Sequence, residues 1–424
     1  MLIEFSVANF RSIKEKVTLS LVASSSSEHF ETHTSSMPST DISVLRSAAI
    51  YGPNAAGKSN ILHAFKFMRD QVVGSATSQR GDKIKVSPHL FDVDTVSEPT
   101  EVEAIFVVDG IRYQYGFSAT KERIMDEWLY AYPKNRAQRW ISREYDPESA
   151  TYRNNFSLKL LGQKQIWVEA ARDNALLLST AVQLNSTQLT PIFDWFKDKT
   201  RVIGFQENFR DFTALLCEKQ ENRSYFTQFL KAADLNIDDL SIDKSKIDIS
   251  KLPDDMPESI KKQISEKEYL EVSTIHKVKG GASVSINLQE ESDGTQKFFG
   301  LIGPWCDILG RGMTVFVDEL HGSLHPLMVR FLISWFHSNE INKCGAQLIF
   351  TTHDTTILNQ DFLRRDQVWF VEKKEDNSTR LFPLTTFSPR KGRDDIERNY
   401  LLGRYGALPY FREVASAMGV VHGE

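Results

Sequence analysis

Apolar and polar residues alternate over Thr100–Val108 and again over Ile111–Phe117, with Asp109-Gly110 between them, and this pattern predicts an antiparallel hairpin. Aromatic and β-branched residues continue through Trp128–Tyr132 and Arg139–Ser142, extending an antiparallel lobe to about Phe156. From Glu169 the spacing becomes helical: Ala170, Leu176 to Leu178, Ala181 and Val182, then Ile192–Phe196, Phe212–Cys217 and Tyr225–Ala233. Strands return at Leu270–His276 and Ser283–Leu288 around the Gly280-Gly281 turn, and two apolar strands follow at Met313–Val317 and Gln347–Thr352. No heptad pattern is sustained, which excludes a long coiled-coil arm. The pattern divides the chain at 1–168 and 269–424, two halves of one α/β head, with a helical insertion over 169–268. Within the insertion, Asp238–Glu268 is dense in charge, carries Pro253 and Pro257, and reads as a mobile stretch with one short exposed helix. The Ser/Thr-rich run Ser24–Thr40 reads as an exposed loop.

Composition narrows the class. A chain of 424 residues exceeds what one core usually supports, so an inserted lobe or two domains is expected. A net charge of -5 gives no global reason to bind nucleic acid. Cys217, Cys306 and Cys344 stand alone, without the spacing of a zinc site or a disulfide scaffold. The N-terminus carries Glu4 within a strand-like alternation and is no signal peptide, and no apolar stretch is long enough to span a bilayer. The expected setting is cytoplasmic.

The chemistry begins at Gly52-Pro53-Asn54-Ala55-Ala56-Gly57-Lys58-Ser59, a phosphate-binding loop (Walker A) after the apolar run Ala48–Tyr51. Gly52 and Gly57 let the backbone curl so that N–H groups face phosphate oxygens, Lys58 reaches the β and γ phosphates, and the Ser59 hydroxyl ligates Mg²⁺. A helix opening after Ser59 adds the positive end of its dipole, with Asn60 in its first turn. The loop therefore predicts binding of a nucleoside triphosphate.

The strand Met313–Val317 ends in Asp318-Glu319 (Walker B), one acid for the Mg²⁺ shell and one to polarise the attacking water. The strand Gln347–Thr352 ends in His353, placed to contact the γ phosphate or to orient water. Gly322-Ser323-Leu324-His325-Pro326 forms a turn between them. Glu291–Lys297, with Ser292 and Gly294, precedes the helical run Phe298–Leu309, and reads either as a phosphate-facing helix start or as a plain helix cap.

This ordered set resembles the ATP-binding-cassette (ABC-type) ATPase head of the SMC and RecF group. The resemblance assigns Lys58 and Ser59 to Walker A, Asp318 and Glu319 to Walker B, Ser292 and Gly294 to a degenerate signature, Ser323 and Leu324 to the D-loop and His353 to the switch. Val7–Ser12, including Arg11, resembles the strand-turn that opens such heads and joins the nucleotide-binding candidates. Tyr400–Ala407 and the short Leu-His-Pro after Asp-Glu resemble the stand-alone AAA-family ATPases of the RloA and abortive-infection type, relatives of OLD-family nucleases. The signature departs from the usual pattern by lacking a leucine before its serine and by having Asp293 where a glycine is expected. The Q-loop glutamine stays open among Gln71, Gln79 and the Pro88–Asp92 segment.

The resemblance implies ATP and Mg²⁺ as cofactors and Glu319, His353 and Lys58 as catalytic residues. It also implies a homodimer or larger even assembly, because signature and phosphate loop act across two copies. The implied role is a sensor or regulatory scaffold in bacterial anti-phage defence, controlling a separately encoded nuclease or toxin and triggered by a phage protein or DNA; the alternative is a RecF-like ATPase that binds DNA in repair. The chain lacks the Asn-Lys-x-Asp of a GTPase and the HExxH of a metal hydrolase, so His321 and His325 read as turn and packing residues. The acids after His353 (Asp361, Asp366, Glu372, Asp376, Asp394, Asp395) form no nuclease motif. Basic clusters at Lys134–Arg143, Lys261–Lys279 and Arg390–Arg393 read as solvated surface unless DNA is bound.

Overall fold

In the computed structural model the described residues are 1–37, 42–205, 207–233, 235–246, 256–258, 261 and 268–409. Two sheets organise the first of two compact units, which holds Met1–Phe205, Arg311–Leu320 and the described residues from Trp335. One is a seven-stranded antiparallel sheet in the order Thr151–Phe156, Gln138–Asp146, Ile124–Tyr132, Ile111–Ala119, Thr100–Val108, Leu2–Ala8, Val17–Ser20. The hairpin expected from alternation is there: Val108 pairs with Ile111 and Thr100 with Ala119.

The other sheet has six strands in the order Thr200–Ile203, Thr314–Val317, Gln347–Thr351, Ser47–Tyr51, Val368–Lys373, Thr379–Pro383. The first five run parallel and the sixth returns antiparallel. Every residue of Ser47–Tyr51, Thr314–Val317 and Gln347–Thr351 is buried, as expected of strands covered on both faces. Lys58–Gly74 is helical because Ile61, Leu62, Phe65, Met68 and Val72 repeat at three- and four-residue spacing and fill the core between the sheets. Phe65 stacks on Phe316 at 4.1 Å and meets Phe5 edge-on at 5.2 Å, so this helix joins both sheets. Each such ring is worth about 1.5–3 kcal/mol of burial.

The structure corrects three expectations. Thr200–Ile203 is a strand inside the stretch read as helical; four residues beside Thr314–Val317 are too few to show a period. Asp239–Lys246, read as mobile, is a strand paired along its length with Glu268–Lys277; the remainder of that stretch lies largely outside the described residues. The run Ser24–Thr40 is not simply an exposed loop: it holds the helix Phe30–His33 and the strand Thr34–Ser36, and Glu28, His33 and Thr34 are buried. Residues 38–40 of that run lie outside the described residues.

The second unit comprises Gln206–Gly310 and His321–Ser334. It carries the three-stranded sheet Asp239–Lys246, Glu268–Lys277, Ser283–Asn287 and helices Arg210–Cys217 and Gln220–Ala232. The long helix Asp293–Arg311 belongs to it up to Gly310. No helix among the described residues is long and apolar enough to cross a membrane.

Candidate functional site

The loop Gly52–Ser59 leaves the carboxyl end of Ser47–Tyr51 and turns directly into the helix Lys58–Gly74. Its two glycines are held against backbone and side chain. A Cβ on Gly52 would lie 2.2 Å from Val371 O, and one on Gly57, at φ +108°, 2.1 Å from Thr379 Oγ1. Ala55 also has a left-handed φ of +61°. Thr379 Oγ1 donates to Ala56 O at 2.8 Å and shares a 2.6 Å bond with Ser12 Oγ, while Asn60 Nδ2 donates to Ser12 Oγ at 2.7 Å. The helix start has no side-chain cap, and among the described residues the N–H groups of Gly57, Lys58 and Ser59 meet no acceptor. Unpaired donors at the positive end of a 17-residue helix suit an anion.

Lys58 is only 6% exposed. Its ammonium folds back onto the loop, donating to Gly52 O at 2.9 Å, Pro53 O at 3.1 Å and His353 Nε2 at 3.1 Å. Burial lowers its pKa to about 8, against the opposing pull of Glu319 and Asp318. A buried cation held by neutral acceptors gains most from a polyanion.

Ser59 Oγ donates to Asp318 Oδ1 at 3.0 Å, and Thr351 Oγ1 donates to the same oxygen at 2.7 Å. The Thr351 hydroxyl also accepts from Glu319 N–H at 2.8 Å. Glu319, half-buried with a left-handed φ of +49°, directly follows Asp318, and both carboxylates act on Lys58. Thr351 is the site residue that the sequence reading missed; its signal was the hydroxyl at the end of the apolar run Gln347–Thr352. One carboxylate oxygen beside one hydroxyl fits Mg²⁺, which takes few protein ligands and completes its shell with water and phosphate oxygens.

Arg11, at φ +52°, reaches Asn60 Oδ1 at 3.4 Å and opens with His63 and Lys66 onto a cavity of about 450 Å³ along the helix. Lys58, Ser59, Asn60, Asp318, Glu319, His353 and Arg11 thus all belong to the first unit. Ser292, Gly294 and Ser323 belong to the second, where a Cβ on Gly294 would lie 3.2 Å from Ser323 O. Ser292 Oγ accepts from Thr295 N at 3.1 Å, so it caps the helix Asp293–Arg311, and it remains exposed. Ser323 is exposed at φ +59°. Of the Q-loop candidates, the Gln71 side chain donates to Asn174 O, while the backbone N–H of Gln79 donates to Asp82 and that of His89 to Asn9. His325 Nδ1 accepts from Leu327 N–H at 3.2 Å, a local turn bond.

A phosphate loop on a central parallel strand, an acid pair on the second strand along and an antiparallel sheet packed beside them define an ABC-type phosphate-loop ATPase head. Residues 47–359 match the family described as "AAA domain, putative AbiEii toxin, Type IV TA system", and the chain belongs to it. Among solved structures the chain is similar to one described as "Crystal structure of the SmcHead bound to the C-winged helix domain of ScpA", at 13% identity and a TM-score of 0.38, over 91% of this chain and 99% of that one. No curated protein matches this chain.

Proposed function

We propose that this chain hydrolyses ATP with Mg²⁺, closes around it as a homodimer or larger even assembly, and controls a separately encoded effector in anti-phage defence. The observation that carries the reading is the bonded set Ser59, Asp318, Thr351 and Glu319 beside the buried Lys58. Bound ATP supplies the phosphoanhydride bond and a phosphorus made electrophilic by the cation. Gly57, Lys58 and Ser59 offer their N–H groups to phosphate oxygens, and Lys58 exchanges two backbone carbonyls for them. Ser59 Oγ and Asp318 Oδ1 would hold the cation. Glu319 takes a proton from water at its carboxylate, and His353 Nε2 orients that water. Arg11 and Asn60 would line the nucleotide beside the loop.

Ser292, Gly294 and Ser323 would serve a second copy's nucleotide. The family's description links the AAA domain to a toxin, which supports an effector as partner. The alternative, direct DNA clamping, loses part of its basic surface: Arg143 is 2% exposed and donates to Ala175 O and Arg172 O.

The test is solution mass with and without ATP, with phosphate release, for wild type and Glu319→Gln. The reading expects Glu319→Gln to bind ATP, lose at least 100-fold in turnover (on the order of 3 kcal/mol) and accumulate the assembly. Normal turnover in that variant would remove Glu319 as base, and a monomer under every condition would remove the two-copy mechanism.

A further inference from the structure

The closing motif Tyr400–Ala407 has no place in the hydrolytic site as described above, yet the helix that leads into it, Ile396–Leu401, touches that site's two structural supports. The first contact is polar. Thr355 Oγ1 donates to Glu397 Oε1 at 2.8 Å, and Thr355 stands two residues after His353, in a one-turn helix capped by Asp354. The second is aromatic. The Tyr400 ring stacks on Phe370 at 5.3 Å and meets Tyr51, the residue before Gly52, at 6.0 Å. The motif is locked from behind: Tyr400 Oη donates to Ala407 O at 3.0 Å, Tyr405 stacks on Phe370 at 5.7 Å, and a Cβ on Gly406 would lie 2.9 Å from Glu372 Oε2.

One short helix therefore braces both the turn that carries His353 and the strand that delivers the phosphate loop. Glu397 reaches a partner 42 residues away, whereas Asp395 already caps its own helix by accepting from Arg398 N–H. We propose that Glu397 is a positioning residue of the hydrolytic site: through Thr355 it fixes the turn after His353, and so the approach of His353 Nε2 to Lys58. The catalytic consequence rests on the ATP-hydrolysis reading; the positional claim does not.

The test has two arms. In nucleotide-free protein with isotopically labelled histidines, the ring resonances of His353, identified with His353→Gln, are expected to move in both Glu397→Ala and Thr355→Val and to return in Thr355→Ser. Unmoved resonances overturn the inference whatever ATP does.

In the second arm, Glu397→Ala and Thr355→Val each lower kcat about tenfold with ATP affinity changed less than about twofold. The double variant is no worse than either single one, since the two groups act as one unit. Multiplying losses, or an equal loss in affinity, overturn a positioning role. A wild type that neither binds nor hydrolyses ATP overturns the proposed function instead, and the histidine spectra then decide the positional claim alone. Thermal midpoints within a few degrees of wild type confirm that the variants fold, and Thr355→Ser serves where Thr355→Val does not.

Discussion

Ser59 Oγ and Asp318 Oδ1 lie 3.0 Å apart across 259 residues of sequence. The strands that deliver them are separated by one intervening strand, Gln347–Thr351, whose last hydroxyl bonds the same oxygen. A serine hydroxyl and a carboxylate held together in this way are preorganised for a hard cation. Asp318→Asn is expected to remove most of the Mg²⁺ enhancement of ATP binding, at least about tenfold, while Mg²⁺-free affinity changes by less than about twofold. Calorimetric titration with and without Mg²⁺ measures both; full enhancement in the variant would take Asp318 out of the cation site.

Ser292 separates a helix cap from a phosphate contact. An aspartate caps a helix as well as a serine does, so Ser292→Asp should keep the thermal midpoint while its charge repels a phosphate from a second copy. Loss of ATP-driven assembly with unchanged stability is expected. Unchanged assembly, measured by mass in solution, would leave Ser292 as a cap only.

A row of three histidine rings gives the fold an acid limit. His33 lies 4.8 Å from His29 and 3.7 Å from His337, ring to ring, and His337 Nε2 meets Ser47 Oγ at 2.8 Å beneath the loop strand. Burial, before any neighbouring charge, lowers the His33 pKa to about 4 and holds that of His337 well below the ordinary histidine value. Between pH 4 and 6.5 the unfolded chain therefore binds more protons than the folded one. The contribution of these histidines is full above about pH 6.5 and is lost on acidification, by up to roughly 3 kcal/mol for His33 alone. Urea midpoints measured from pH 7 to 4.5 should drop steeply in wild type and less steeply in His33→Gln; equal slopes would refute the assignment.

Tyr51 carries a hydroxyl that is fully buried and, among the described residues, has no hydrogen-bond partner, close enough to Asp354 for that carboxylate to add to burial in raising its pKa. An unmade buried hydrogen bond costs about 1–3 kcal/mol. Tyr51→Phe should therefore raise the denaturation midpoint while the ring contacts with Tyr400 and Phe370 persist. A lower midpoint would mean that the hydroxyl has a partner in solution.

Local chemistry was what the sequence made legible. The phosphate loop, the Asp-Glu pair and the Asp109-Gly110 hairpin could be read because each is written in neighbouring residues. Thr200–Ile203 could not, because it is set by pairing with a strand more than a hundred residues away, and Thr351 could not, because its role is set by Asp318 on a neighbouring strand rather than by adjacent residues. Helical spacing identified the Tyr225–Ala233 helix, whereas the charged strand Asp239–Lys246 was hidden because it is held by backbone pairing with Glu268–Lys277. Ser292 reads both ways in sequence and still caps its helix in the fold.

The strand Ser47–Tyr51 has as its two neighbours Gln347–Thr351 and Val368–Lys373. During synthesis it leaves the ribosome as an apolar segment with both edges bare, and neither flank exists until most of the chain has been made. Bare apolar edges are sites of intermolecular pairing. Nascent chains stalled before residue 347 should be the aggregation-prone and chaperone-dependent lengths of this protein, and hydrolytic competence the last property that the growing chain acquires.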